Sequence, residues 1–306
     1  MQEPVQGLVV ARATTDSDLE SMAYVRGHVS GLPEPPPVEN LRHHLDTSPA
    51  LTYLVAHIDG EPAGCGFVDT TSASYAAGDV SVVPELRSRG VGSALLAAAS
   101  RAARDLGKEA LQGHVREDDL PSRGWVERRG FRVVGGEKGV TLDLADPPPF
   151  VGPPDGVVIV ARSEGGDLLD GMYAVACEGD EDIPGSPGTR TFEDWRAFEI
   201  DRPTRRADLC FVALAGDEVI GYAALDAFGD YASHGLTAVK RTWRRRGVAT
   251  ALKHAEIAAA QRAGFRRLVT SSEERNLPMQ RLNEKLGYRP DPSQSGIVVR
   301  GPLAKD

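Results

Sequence analysis

The hydrophobic and polar positions of the chain fall into short apolar runs broken by glycine, proline and acidic residues, and the same order of runs occurs twice. In the first half, a run at 8–12 predicts a strand, and helical patterning with acidic and proline-rich interruptions follows it. Runs at 51–58 and 63–69 flank Asp59-Gly60, a pair suited to a tight hairpin turn, so they read as paired strands. A third run, 79–83, enters a turn rich in arginine and glycine. That turn opens an Ala-rich amphipathic helix over about 92–106, closed by Gly107, where a helix C-terminus favours glycine. A strand at 110–116, a short helix ending at Gly130 and a final β ribbon complete the series. The second half repeats it with strands at 157–162, 209–215, 219–226, 235–239 and 267–272 and a long helix over 249–263. Gly216-Asp217 marks its hairpin, and Gly264 and Gly287 close its helices.

The repetition is exact in spacing. A shift of 157 residues lays Gly64 on Gly221, Arg87 on Arg244, Gly90 on Gly247 and Gly130 on Gly287. Without a gap, 20 of the 68 positions in 64–131 are identical to those in 221–288, which points to two copies of one domain; a solenoid has shorter repeats. Between the copies, 145–156 holds five prolines and two glycines in twelve residues, and proline interrupts helix and central strand alike. The expected organisation is therefore a domain at 1–146, a stiff linker at 147–156 and a second domain at 157–306. The expected class is α/β, with two consecutive domains, each a mixed, largely antiparallel sheet flanked by helices.

Composition narrows the partners more than the fold. With 306 residues, 41% hydrophobic and 26% charged, each half can close its own core. The net charge of −9 argues against nucleic acid or an anionic membrane as partner. Neither a basic leader with an apolar run nor an apolar window of membrane length is seen, and Cys65, Cys177 and Cys210 share no metal-like spacing. A cytoplasmic protein without a metal is expected.

The candidate chemistry lies where the third strand of each copy meets the long helix. The residues are Val82, Val83, Arg87, Arg89, Gly90, Val91, Gly92 and Ser93 in the first copy. In the second they are Val239, Lys240, Arg244, Arg245, Arg246, Gly247, Val248, Ala249 and Thr250. Both reduce to Arg-x-x-Gly-x-(Gly/Ala) before a helix. Glycine lets backbone approach an anion closely, and the first N–H groups of a helix point outward with the positive end of its dipole behind them. Neither turn carries the Gly-x-Gly-x-x-Gly of dinucleotide folds or the Gly-Lys-(Ser/Thr) of a P-loop. The basic run 240–246 is a local cluster within this turn, which the phosphates of a cofactor explain better than nucleic acid does.

These segments resemble the acetyl-CoA signature of the GNAT superfamily of N-acetyltransferases, and the stretches 237–253 and 276–288 resemble one bacterial subgroup of it closely. Since both halves match, the chain looks like a tandem protein of that family. The resemblance implies acetyl-CoA as cosubstrate, with its diphosphate on the turn amides and its pantetheine arm between two splayed strands. It also implies a thioester carbonyl held by a backbone N–H near Val239 or Val82, and Asn276 touching the arm. The family's acid, a tyrosine in the last short helix, is replaced by Asn283 in one copy and Val126 in the other. Asn283 remains a candidate for a bond to the thioester or for a structural bond, and solvent or Tyr288 for the proton. Asp226, His234 and Glu273 stand near strand ends as candidate bases, with a water relay as the alternative. Glu178, Glu181 and Asp182 are candidates for attracting a small cationic amine. The first copy has Asp119, Ser122 and Val126 where the second has Asn276, Met279 and Asn283, so the second is expected to catalyse. The open alternatives are an acyl-CoA-binding pseudoenzyme or sensor, and a mycothiol-synthase-like or antibiotic-modifying acetyltransferase. A monomer or a homodimer is expected.

Overall fold

The computed structural model describes residues 6–29, 35–70, 72–181 and 191–305. They form two compact units, one of 1–136 with 296–306 and one of 137–295.

The first unit comprises β1 (Leu8–Arg12), α1 (Asp16–Val29), α2 (Val38–Thr47), β2 (Thr52–Ile58), β3 (Glu61–Thr70), β4 (Tyr75–Val82), α3 (Val91–Asp105), β5 (Ala110–Arg116), α4 (Leu120–Glu127) and the start of β6 (Arg132–Asp143). The second comprises the rest of β6, then β7 (Val158–Ala161), α5 (Leu169–Asp180), α6 (Phe192–Trp195), β8 (Arg205–Ala215), β9 (Glu218–Phe228), β10 (Tyr231–Val239), α7 (Val248–Arg262), β11 (Arg267–Glu273), α8 (Leu277–Lys285) and β12 (Arg289–Pro290). The last strand, β13 (Gly296–Pro302), returns to the first unit.

Each sheet is antiparallel except for one parallel pair, β4 with β5 and β10 with β11. Two apolar layers sandwich it. In the first unit α3 packs Val91, Leu95 and Ala99 on one face, while α1 and α2 pack Leu19, Met22 and Leu41 on the other. In the second, α7 covers one face with Val248, Leu252 and Ile257, and α5 covers the other with Met172 and Val175. The alanines of α3 and α7 bring backbone close to the sheet, and Gly107 and Gly264 end these helices at φ of 70° and 84°, a conformation that costs glycine little.

The final ribbons depart from the expected contiguous domains. Residues Glu137 to Asp143 of β6 pair with β11 in the second unit, whereas all seven residues of β13 pair with β5 in the first. Shifted by 157, these are equivalent strands that have changed places. Leu142 and Leu144 therefore enter the α7 core, and Ile297 and Val299 the α3 core. The Pro-rich stretch 147–156, expected to lie between the domains, falls inside the second unit. Apolar patterning cannot reveal such an exchange, because either strand satisfies the same edge.

Candidate active site

The second unit builds the candidate site from three features, beginning with the turn between β10 and α7. Lys240 N–H still bonds Ile220 O at 2.9 Å, after which the chain makes a 3₁₀ turn over Arg241–Trp243. The Arg244 guanidinium folds back, its Nε donating to Val239 O at 2.9 Å, and pins the loop to the strand end. Arg245 and Gly247 then take left-handed conformations, with φ of 60° and 91°. Left-handed residues alternating with right-handed ones turn successive N–H groups into one concavity, and the unpaired amides of the α7 start continue it. The predicted residues from Val239 to Thr250 thus share a single turn and helix start. The first unit repeats the backbone: Ser88 and Gly90 have φ of 62° and 85° before α3.

Part of the basic run is neutralised by the protein itself. Lys240 pairs with Glu218 at 2.7 Å. Glu178 accepts the Arg241 backbone N–H at 2.9 Å, and Glu181 pairs with the Arg241 side chain at 2.8 Å. The acids expected to attract an acceptor amine therefore brace the turn. Asp182 lies outside the described residues. Arg245 and Arg246 have no carboxylate partner among the described residues, and Arg246 lies 5.0 Å from the Trp243 ring centre.

Next to the turn the sheet opens. Only Tyr231, Ala232 and Ser233 of β10 pair with β11; beyond them β10 follows β9 and β11 follows β6. In the first unit β4 leaves β5 after Ala77 in the same way. The copies differ at the next step. β10 shifts register against β9 between His234 and Thr237, while β4 runs against β3 without interruption. A bulge releases backbone groups from the ladder and re-aims them, which suits the inner end of a binding cleft. Asn276, at the outer end, is exposed and caps α8, its Oδ1 accepting the Met279 N–H at 3.2 Å.

The three candidate catalytic side chains have different partners. Asp226 is buried beneath the bulge and accepts from Arg205 Nη2 at 2.9 Å, Arg205 Nε at 3.1 Å, Thr204 Oγ1 at 3.0 Å and Arg202 Nη1 at 3.3 Å. Burial by itself would raise its carboxyl, but the bonds and charge of Arg205, then Arg202 and Thr204, hold it below the usual carboxylate range. A carboxylate with this many donors is a poor proton acceptor and a good anchor. The cluster also explains Gly235, since a Cβ there would stand 2.5 Å from the Arg205 guanidinium. Asp226→Asn leaves Glu199, at 3.7 Å, as the carboxylate beside Arg205 among the described residues, and is expected to lower stability by about 3 kcal/mol, measured as the urea midpoint. Because the folded pKa lies below the unfolded value of about 3.9, this stabilisation is complete above that pH and is lost as pH falls through the folded value.

His234 is sealed against α7, with its side chain 1% exposed; Nε2 lies 2.5 Å from Tyr288 Oη and Nδ1 lies 3.0 Å from Glu256 Oε2. Burial, and then the charge of Lys253, lowers its pKa, while Glu256 acts in the other direction. Asn283 is buried on α8 and its Oδ1 has no partner, although its backbone carbonyl takes the Tyr288 N–H at 3.0 Å. Arg205, Lys253 and Glu256 were not singled out from sequence. Two of them had a signal: Lys253 and Glu256 are charged residues on the inward face of a helix whose counterpart in the first copy has Leu96 and Ala99 there.

A glycine-bearing strand-to-helix turn beside a splayed, bulged pair of strands is the arrangement on which the family comparison bears. The family model described as Acetyltransferase (GNAT) family matches residues 19–131 and again 174–288. The chain belongs to the GNAT family of acetyltransferases, with two copies of its domain. Solved structures share the fold along the whole length. A GCN5-related N-acetyltransferase from Sphaerobacter thermophilus is 20% identical, with 97% of this chain and 96% of that one covered and a TM-score of 0.75. A tandem GNAT protein from the clavulanic acid biosynthesis pathway is 22% identical over 98% and 99%, also with a TM-score of 0.75. A glucosamine N-acetyltransferase region of a fungal multi-domain β-N-acetylglucosaminidase is 16% identical over 96% of this chain and 38% of that one, with a TM-score of 0.68. No curated protein sequence matches. Among the described residues, no helix is long and apolar enough to cross a membrane.

Proposed function

We propose that the second unit moves an acetyl group from acetyl-CoA to the primary amine of a small molecule by direct attack in a ternary complex. The observation that carries this reading is the bulge at the inner end of the cleft, which occurs in the unit with the unobstructed turn. The diphosphate rests on the amides of Arg245 to Ala249, with Arg245 and Arg246 beside it. The pantetheine arm runs past Asn276 into the gap between β10 and β11. Backbone N–H groups of the bulged strand, up to Val239, face the thioester carbonyl and stabilise the charge that develops as a neutral amine attacks. Asp226 acts in this reading as an anchor beneath the bulge, and Glu181 as a brace for the turn. Three free thiols, two of them buried, suit a reducing cytoplasm.

In this reading the first unit keeps the loop but its slot is the narrower one. The indole of Trp125 lies beside Gly92, in van der Waals reach (3.4 Å) of where a Cβ there would stand. Arg129 stacks on that ring at 3.9 Å and donates to Ser93 Oγ at 2.8 Å, and Arg87 lies 3.5 Å from Asp119. The second unit carries the smaller Leu282 in place of Trp125.

Calorimetry with coenzyme A is the test, and one equivalent should bind per chain; absence of heat at saturation overturns the proposal. A panel of amines with acetyl-CoA should then show release of thiol, whereas binding without release from any amine would favour a sensor. Trp125→Leu is expected to raise the stoichiometry from about one to about two, and an unchanged value would show that the indole is not what closes the first slot.

A further inference from the structure

Four titratable side chains meet on the α7 face of the second unit, at the apex where β10 leaves β11. They are His234, Lys253, Glu256 and Tyr288, with relative exposures of 1% for Lys253, 0% for Glu256 and 4% for Tyr288, and the His234 side chain at 1%. Burying such a group costs several kcal/mol in general, so four together need a reason. The internal repeat shows that the fold is not the reason. Shifted by 157, the same positions in the first unit are Ala77, Leu96, Ala99 and Phe131, all apolar, around the same helix and strands. The polar set occurs in the copy that has the bulge.

Its internal geometry is that of a relay. Glu256 faces Nδ1 of His234 and Tyr288 Oη faces Nε2, so the imidazole stands between a carboxylate and a hydroxyl. Among the described residues His234 Nδ1, both Glu256 carboxylate oxygens and Asn283 Oδ1 make no aligned hydrogen bond though buried, so the 3.0 Å approach of Nδ1 to Oε2 is an ion-pair contact and acceptor capacity remains for a ligand group or a water. We infer that Glu256, His234 and Tyr288 form a proton relay that takes the proton of the attacking amine and returns it to the departing thiolate.

The inference rests on the proposed acetyl transfer, and the proton count closes. As the N–C bond forms, the amine proton passes to Tyr288 Oη while the tyrosine's own proton moves to His234 Nε2, and Glu256 stabilises the imidazolium. As the C–S bond breaks, Tyr288 protonates the thiolate and recovers its proton from Nε2. The relay assigns the contact with the reacting atoms to Tyr288, while His234 and Glu256, which act through it, are positioning residues. The groups facing His234 are Lys253 and Glu256 from α7 and Tyr288 from beyond α8; its neighbour on β9 is the apolar Leu225. Burial first, then Lys253, lowers the His234 pKa, so the ring is neutral at pH 7 and free to accept. Protonation below the ordinary imidazole range would block the relay.

The thiol of bound coenzyme A reads the relay directly and needs no acceptor. Followed by thiolate absorbance against pH, it is expected to ionise about one unit or more below the free thiol in the wild-type protein. Tyr288→Phe, which installs the residue of the first copy, should return the thiol to its free value while changing coenzyme A affinity less than about threefold, and His234→Gln should do the same. With an acceptor in hand, Tyr288→Phe should lower kcat by about 100-fold and leave the KM for acetyl-CoA unchanged. A thiol that titrates identically in wild type and Tyr288→Phe overturns the relay, whereas failure of coenzyme A to bind at all overturns the transferase reading instead. If the variants do not fold, the wild type decides: exchanging coenzyme A for its desulfo analogue should shift the His234 imidazole NMR signal, and an unmoved signal sinks the relay.

Discussion

Gly247→Glu is expected to abolish coenzyme A binding to the full-length chain, and Gly90→Glu to leave it unchanged. Gly247 is the N-cap of α7 at φ 91°, and nothing lies within 4 Å of where its Cβ would be. A side chain there meets no clash but forces an L-residue into left-handed backbone, at roughly 1–2 kcal/mol. The carboxylate also projects into the concavity meant for a diphosphate, setting like charges against each other in a partly desolvated loop. Together these should cost at least about 3 kcal/mol, or more than 100-fold in affinity, measured by calorimetry. Gly90, at φ 85°, imposes the same backbone strain, so the pair separates a general loss of stability from loss of the site. The reverse result, binding lost with Gly90→Glu and kept with Gly247→Glu, would move the cofactor to the first unit.

Deleting residues 296–306 should unfold the first unit and spare coenzyme A binding by the second. β13 contributes a seven-residue ladder to β5, and Ile297 and Val299 to the α3 core. The segment beyond it is tied down as well: Ala304 N–H donates to Ser100 Oγ at 2.8 Å, and Arg104 reaches the Ala304 carbonyl. Arg300 lies 3.9 Å from the Tyr75 ring centre. Full burial of an aliphatic side chain is worth about 1.5–3 kcal/mol; Val299 is buried and Ile297 partly so, and removing the ladder leaves β5 as an open edge. The loss is on the order of 5 kcal/mol, close to the whole stability of a small domain. Limited proteolysis should cut the truncated chain within 1–136 and leave a coenzyme A-binding core. A truncated chain that melts like the wild type would refute the exchange. By the same reasoning, a fragment of 137–295 is expected to fold where one of 157–306 is not, because the latter lacks the strand that completes β11.

The shape of the two strand-to-helix turns was legible residue by residue because local chemistry makes it. A glycine at a left-handed position, an arginine three residues before it and a helix after it act within a dozen residues, and a second copy in register removes coincidence. The acidic residues beside the turn were legible as charges but not as partners. Whether Glu178 and Glu181 meet a substrate amine or Arg241 depends on how the end of α5 lies against that turn, and sequence spacing carries no such distance. Asp226 presents the same difficulty: it reads as a candidate base, and the two arginines that hold it come from a segment whose spacing does not announce the contact.

By itself, the sequence determined that the chain is a doubled α/β protein, where each hairpin and long helix lies, and where the two glycine-bearing turns before the long helices fall. These follow from periodicity, turn chemistry and a repeat, all of them local or one-dimensional. Only the tertiary structure decided which strands complete which sheet and where the register slips. The repeat aligns Gly78 with Gly235 without a gap, yet β10 pairs one residue out of step before its bulge, because hydrogen-bond register belongs to a pair of strands and is written in neither alone. The buried His234, Glu256 and Tyr288 likewise lie far apart along the chain, and only packing α7 against the opened sheet makes them neighbours.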